Sequence, residues 1–421
     1  MTPEEINELR PRLEAFIAPM LAELPRADQR EKGELYVRGL MMDGQRKSMQ
    51  PMAERLGVDH QRLQQFISSS TWDYTRVRAN IATWASGAFP VRAWVVDDTG
   101  FLKDAASVSS PGVARQYTGT AGKITNCQIG VSVNLIGDTA SAAANWRLFL
   151  PESWDPALID DPEQAALVRT RRRRCGIGED FGHRAKWHLA LDMLDEMAGD
   201  WGLQPLPVVC DAGYGDITAF RLALEERGLA YVAAVKATTS AHPGQAVPQQ
   251  PPYAGRGPRP RPRYPQDPSS LKELAMAAGR TAGHYVTWRH GTRASRSNPS
   301  AAMRSRFLAL RVRPANRDIP RADDGCLPEC WLLAQWPPGA AEPTDYWLSN
   351  LPAGTLLRDL VRLAKIRWRV EHDYRELKYG LGVDHFEGRN FTGWHRHVTM
   401  AALAQAFCTE LRLDPKVPAR A

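Results

Sequence analysis

Cysteine is scarce: six residues in 421, with no spacing that would make a disulfide framework. Cys326 and Cys330 keep the spacing C-x3-C, but no second pair lies near them, so a zinc site there lacks half its ligands. No stretch approaches the roughly 18 apolar residues that a membrane span needs. No basic amphipathic helix stands out that would lie on acidic lipid. The opening residues, "MTPEEINELRPRLE", are acidic and polar and lack the apolar centre of a signal peptide. These absences predict a cytoplasmic protein with no membrane partner. No internal repeat is visible.

Positive charge is in excess. Lys and Arg number 54 against 47 Asp and Glu, a net charge of +7, concentrated in "RTRRRR" at 169–174 and "RGPRPRPR" at 256–263. Such runs favour a polyanionic partner, and "RTRRRR" reads as an exposed contact to a DNA backbone. With 43% hydrophobic residues the chain can bury a sizeable core, and its length suggests about three domains of ~150 residues.

Residues 1–88 read as helical. In "KSMQPMAERLGVDHQRLQQFISSS", Ser48 caps a helix through Leu56, Gly57 ends it, and a second helix runs from about Asp59 to Ile67. That is the pattern of a helix-turn-helix, or of a plain helical hairpin. From about residue 90 the period changes. "RAWVVDD" is a short buried strand ending in acids, and "NCQIGVSVNLIG" and "NWRLFLP" follow as strands. "KWHLALDMLDEMAGDWG" is a helix, "LPVVCDAGYGD" a second strand ending in an acid, "DITAFRLALEERG" a helix and "AYVAAVKA" a third strand. Strands alternating with helices predict an α/β sheet. At 238 the pattern breaks into a Pro/Arg-rich loop at 241–268, unsuited to a ladder or a long helix. "RTAGHYVTWRH", "RFLALRVRP", "CWLLAQWP" and "YWLSNLP" then read as strands of a β-rich insertion spanning 238–350. The expected layout is a helical segment at 1–88, an α/β core at 89–237, the insertion, and a return to the core at 351–421 with two more helices.

Asp97 and Asp98 end one strand and Asp211 another, positions that hold ligands in α/β sheets but also cap turns and helices. A third acid, Glu371, lies in "KIRWRVEHDYRELK". At about 100° per residue, Arg367, Glu371, Arg375 and Lys378 share one face of a regular helix there. Three carboxylates from distant parts of the chain, without a matching His or Cys set, suit a hard cation such as Mg²⁺. Two such ions can clamp the attacking and leaving oxygens of a phosphoryl transfer.

Taken in order, these segments resemble the DDE transposases of bacterial insertion sequences, in the branch with a Tyr-x2-Arg-x3-Glu-x6-Lys signature. Arg367, Glu371 and Lys378 match that spacing, while Ala364 stands at the Tyr position and removes a hydroxyl. Asp97-Asp98-Thr99 resembles the family's Asp-x-Thr, followed by "GFLK" with Lys103, and "CDAGYGD" resembles its second Asp block. "RQYTGTAGKITNCQIGVSV", "RLFLPESW" and "QRLQQFISSSTWD" are similar too; the 241–268 loop has no match.

The resemblance implies a ribonuclease-H-like mixed sheet interrupted by the insertion, with a helical DNA-binding domain in front. It implies Asp97, Asp211 and Glu371 as catalytic residues holding two Mg²⁺ ions, with Mn²⁺ as substitute. Asp97 is preferred to Asp98 because the family's motif counts back two residues from Thr99; neighbours in a strand face opposite sides, so only one of the two would point at the metals. Arg367, Arg375, Lys378, Lys103 and Lys186 would bind phosphates, and Trp331, Trp336 or Trp347 would stack on a flipped base, unless they are core. Water would cut a transposon end, and the freed 3′-hydroxyl would attack target DNA. The implied partners are double-stranded DNA and a second copy of the chain in the DNA complex. A domesticated DNA-binding relative and a ribonuclease-H-like nuclease stay open at this point.

Overall fold

The computed structural model describes residues 2–104, 110–253, 255, 260–291 and 298–414. The chain forms two compact units, Met1–Gln204 with Trp368–Ala421, and Pro205–Arg367.

The first unit opens with five helices: α1 (Pro3–Met20), α2 (Ala27–Met41), α3 (Met49–Leu56), α4 (His60–Ser68) and α5 (Tyr74–Ala88). Local chemistry fixes α3 and α4. Ser48 and Asp59 are their N-caps, and Asp59 accepts from the Gln61 backbone N–H at 2.9 Å. Gly57 ends α3 in the left-handed region at φ 66°, where a side chain would be strained. Met52, Ala53, Leu63, Phe66 and Ile67 bury the inner faces of this pair.

Four strands follow: β1 (Val91–Leu102), β2 (Ala114–Thr118), β3 (Lys123–Gly137) and β4 (Ser141–Phe149). They pair antiparallel around β3, with β1 along one side of it and β2 and β4 along the other. The expectation of a strand ending at the acids is corrected here. Asp97 and Asp98 keep ladder partners, Ser132 and Val131, and buried Thr99 and Phe101 carry β1 on to Leu102.

Helices α6 (Pro162–Arg174) and α7 (Lys186–Ala198) complete this stretch. Helix α6 corrects the reading of "RTRRRR" as exposed charge throughout. Arg172 is buried and donates to the carbonyls of Trp154 (2.8 Å), Gly178 (2.9 Å) and Phe181. The Arg171 guanidinium lies 3.9 Å from the centre of the Trp154 ring. These cations hold loops together by saturating carbonyls that would otherwise be unpaired.

The second unit runs β5 (Val208–Cys210), α8 (Ala212–Gly215), α9 (Thr218–Glu226), β6 (Tyr231–Val235), β7 (Ser240–Pro243), β8 (Ser269–Ser270), α10 (Leu271–Ala278), β9 (His284–His290), β10 (Ala302–Pro314), β11 (Cys330–Trp336), β12 (Asp345–Ser349) and α11 (Leu357–Ile366). Its sheet is mixed. β5 and β6 are parallel, and the order continues antiparallel through β12, β11, β10, β7 and β8, with β9 also on β10. The 241–268 segment holds more pairing than its proline content predicts, because β7 joins β10 and β8 and Gln249 bridges Arg263. Arg256 and Arg259 lie outside the described residues. Cys326 and Cys330 are both free thiols, and Cys330 is buried in β11.

The chain returns to the first unit with α12 (Trp368–Arg375), a π-helical turn at Glu376–Gly380 and α13 (Phe391–Leu413). The single regular helix expected over 365–378 is corrected: the helix is interrupted at Arg367, and the wider π turn breaks the 100° spacing before Lys378. Among the described residues no helix is long and apolar enough to cross a membrane.

Helix α13 is buried on all sides from Gly393 to Phe407, as a core helix must be. His397 sits inside it, Nε2 donating to the Gly382 carbonyl (3.1 Å) and Nδ1 accepting from the Tyr36 hydroxyl (2.8 Å). Burial pushes His397 down to about 4, and burial with Arg78 beside it holds His395 well below its ordinary value. Both rings are neutral when folded. The unfolded chain therefore binds more protons between about pH 6.5 and 4, and stability falls as the pH drops through that window. His397 alone is expected to cost about 3 kcal/mol by pH 4. Urea midpoints measured across this range should fall less steeply in His397→Gln; an equal slope in the variant would clear the ring of this role.

Candidate active site

Asp97 is buried on β1, and its Oδ1 accepts from the Asp98 backbone N–H at 2.8 Å. Alternation along β1 sends the two side chains to opposite faces of the sheet. Asp98 faces α7, where Lys186 Nζ lies 2.9 Å from its Oδ2. The neighbouring row continues that face: Asp98 is opposite Val131, Val131 opposite Arg147, and Arg147 pairs with Glu196 of α7 at 2.6 Å.

Asp97 faces the other way. It is opposite Ser132, and Ser132 is opposite Trp146. The Ser132 hydroxyl meets the Tyr374 hydroxyl of α12 at 2.7 Å, and the Trp146 and Tyr374 rings are 6.0 Å apart. Asp97 therefore shares its face of the sheet with α12, the helix that carries Glu371. Glu371 itself is exposed. Ser132 and Tyr374 were not singled out from the sequence; the only cue was a tyrosine three residues after Glu371 on a charged helix.

Lys378 reaches back to β1 from the π turn. Its Nζ donates to the Gly100 carbonyl (2.9 Å) and to the Thr120 hydroxyl (2.8 Å), and burial lowers its pKa. Lys103 Nζ donates to the Phe386 carbonyl at 2.7 Å and is likewise lowered by burial. Gly100 is required where it stands: a Cβ there would lie 1.9 Å from the Thr118 hydroxyl. Arg375 is exposed.

The second unit carries Asp211 directly after β5. It is the N-cap of α8, accepting from the Gly213 N–H at 2.9 Å, so its carboxylate is held by the backbone that follows it. Arg367 follows α11. Trp336 and Trp347 are 5% and 6% exposed, which leaves no ring face open in this structure. Trp331 is half-buried, with Arg311 4.7 Å from its ring centre. Lys365 Nζ lies over both Trp347 (5.4 Å) and Trp288 (5.3 Å).

The carboxylate oxygens are hard donors of the kind Mg²⁺ takes. Among the described residues no three His, Cys, Asp or Glu side chains stand close enough together to hold a metal ion. Carboxylates on an α/β scaffold, holding divalent ions, are the equipment of phosphodiester chemistry. The family model of the DDE superfamily endonucleases matches residues 19–295, about two thirds of the chain, and the chain belongs to that family. No curated protein matches the chain. Membership supports nuclease or transposase-type activity with DNA as the substrate, in a superfamily that generally uses divalent metals. Asp97 and Asp211 fall inside the matched residues; Glu371 and Lys378 lie beyond them.

Proposed function

We propose that the protein is a DDE transposase of a bacterial insertion sequence, which cuts transposon-end phosphodiesters and joins the 3′-hydroxyl to target DNA. The observation that carries this reading is the family match, which contains Asp97 and Asp211, each followed by the residues expected of its motif. Asp97, Asp211 and Glu371, which do not form a ready-made cluster in this structure, are assigned by the resemblance as the carboxylates that would hold two Mg²⁺ ions. Those ions, when bound, supply the Lewis acidity that activates the attacking oxygen and stabilises the leaving one. The chain's own groups do the rest. Buried Asp97 presents a fixed charge and Lys378 offers an ammonium positioned by Gly100 and Thr120, whereas Lys186, expected from the sequence to bind phosphate, is paired with Asp98 on the opposite face of the sheet. Arg367, Arg375 and Lys103 are the further phosphate contacts. Helices α3 and α4 are assigned to DNA reading as a helix-turn-helix, and two copies of the chain are assigned to a paired-end complex.

The test is strand transfer. Linear DNA ending in the sequences that flank the coding region, incubated with the purified chain, Mg²⁺ and a circular target, should yield joined products. Cleavage with equal rates on unrelated ends would instead make the chain a nuclease without end preference. Absence of both, with DNA binding retained, would leave only a DNA-binding relative.

A further inference from the structure

Strands β2 and β3 form a hairpin whose two largest exposed apolar side chains stand directly opposite each other. Tyr117 pairs with Ile124, and they are 63% and 59% exposed. Side by side on neighbouring strands, the two form one small apolar patch rather than two scattered side chains. The ribbon is also one-signed: no Asp or Glu occurs between Ala105 and Gly137, exposed Arg115 stands two residues from Tyr117 on the same face, and exposed Lys123 adds positive charge at the turn end of β3 on the other face. Its turn is fixed in place. The Thr120 hydroxyl donates to the Gly100 carbonyl at 3.1 Å, Thr118 fills the space above Gly100, and Lys378 Nζ bonds both Gly100 and Thr120. Gly100 is three residues along β1 from Asp97, about 10 Å at strand rise.

The geometry points to Tyr117, backed by Ile124, as the side chain that stacks on an unpaired base of DNA held at the candidate active site. This rests on the DNA reading above and deepens it. An aromatic with an open face on a ribbon that carries cations and no acid of its own is what base stacking uses. The three tryptophans first considered for that task fit less well, since Trp336 and Trp347 are buried and Arg311 lies over Trp331. The cationic surroundings favour a nucleic acid over a second copy of this ribbon, which would bring like charges together.

The experiment uses the full chain and two short duplexes, one fully paired and one with a single unpaired 2-aminopurine. The wild-type protein should bind the second roughly tenfold more tightly and quench its fluorescence. Tyr117→Ala should lose the preference and the quenching, Tyr117→Phe should keep both, and all three should bind the paired duplex alike. Thermal melting should not change, because Tyr117 is exposed. A wild type that binds no duplex overturns the DNA reading and this inference with it. A wild type that binds DNA but shows no preference, or a Tyr117→Ala that keeps it, overturns the inference alone. So does a Tyr117→Ala that alters sedimentation of the DNA-free protein, which would make the ribbon a contact between copies.

Discussion

Asp97→Asn is expected to lower DNA cleavage by about a thousandfold or more while the protein folds and binds DNA as before. Asparagine keeps the shape and an oxygen for the Asp98 N–H, now held at 2.8 Å, and removes only the charge. Removing a carboxylate that is 6% exposed relieves desolvation, so a loss of stability is not the expected cause of inactivity. Asp98→Asn is the matched comparison. Its side chain lies on the opposite face against Lys186, and its replacement should cost less than about tenfold. The readout is cleavage of a labelled duplex with Mg²⁺ or Mn²⁺, next to a melting curve. If Asp97→Asn cuts at the native rate, Asp97 is not a catalytic carboxylate.

The second large effect is on stability. Arg78 is fully buried on α5 and donates in three directions: Nε to the Thr399 hydroxyl (2.8 Å), one terminal nitrogen to the Trp146 carbonyl (2.7 Å), and the other to the His395 carbonyl (3.1 Å). Its guanidinium also lies 4.7 Å from the Tyr74 ring centre. One side chain thus ties α5, β4 and α13 together. Arg78→Met removes all three bonds and the ring contact at once, while the Trp146 carbonyl keeps Arg147 (3.1 Å) and the His395 carbonyl keeps the Thr399 hydroxyl (2.7 Å), so the expected cost is about 2–4 kcal/mol. Arg78→Lys should recover little, because one ammonium cannot reproduce a planar fork. Urea unfolding measures both; a loss below about 1 kcal/mol in Arg78→Met would mean that the acceptors find other partners.

How much of this was legible in the sequence differs from element to element. Ser48, Gly57 and Asp59 announce α3 and α4 because capping is a local matter, settled within three or four residues. The strands β3, β6, β10 and β11 declare themselves by apolar content. The extension of β1 does not, since an acid looks like a strand end until its partner is known, and Lys186, which balances Asp98, is 88 residues away. The Arg172 contacts are equally hidden: its acceptors come from Trp154, Gly178 and Phe181, none of which changes the look of "RTRRRR". In the candidate site, the aspartates are candidates because of their motifs. The face that Asp97 shares with Tyr374, and the support of Lys378 by a hairpin turn, follow from registers that no spacing encodes.

Helix α13 sets an order in time. The second unit is one unbroken stretch of chain, Pro205–Arg367, whereas the first is closed by residues made after it. At about 5–20 residues per second, a ribosome that has finished residue 204 needs roughly 10–40 s to finish α13. Throughout that interval the faces of β4, α2 and α5 that α13 covers have no lid. Nascent chains should accordingly attract chaperones at the first sheet while the second unit is already protease-resistant, and translation halted before Phe391 should yield a protein with its second unit sound and its first prone to aggregate.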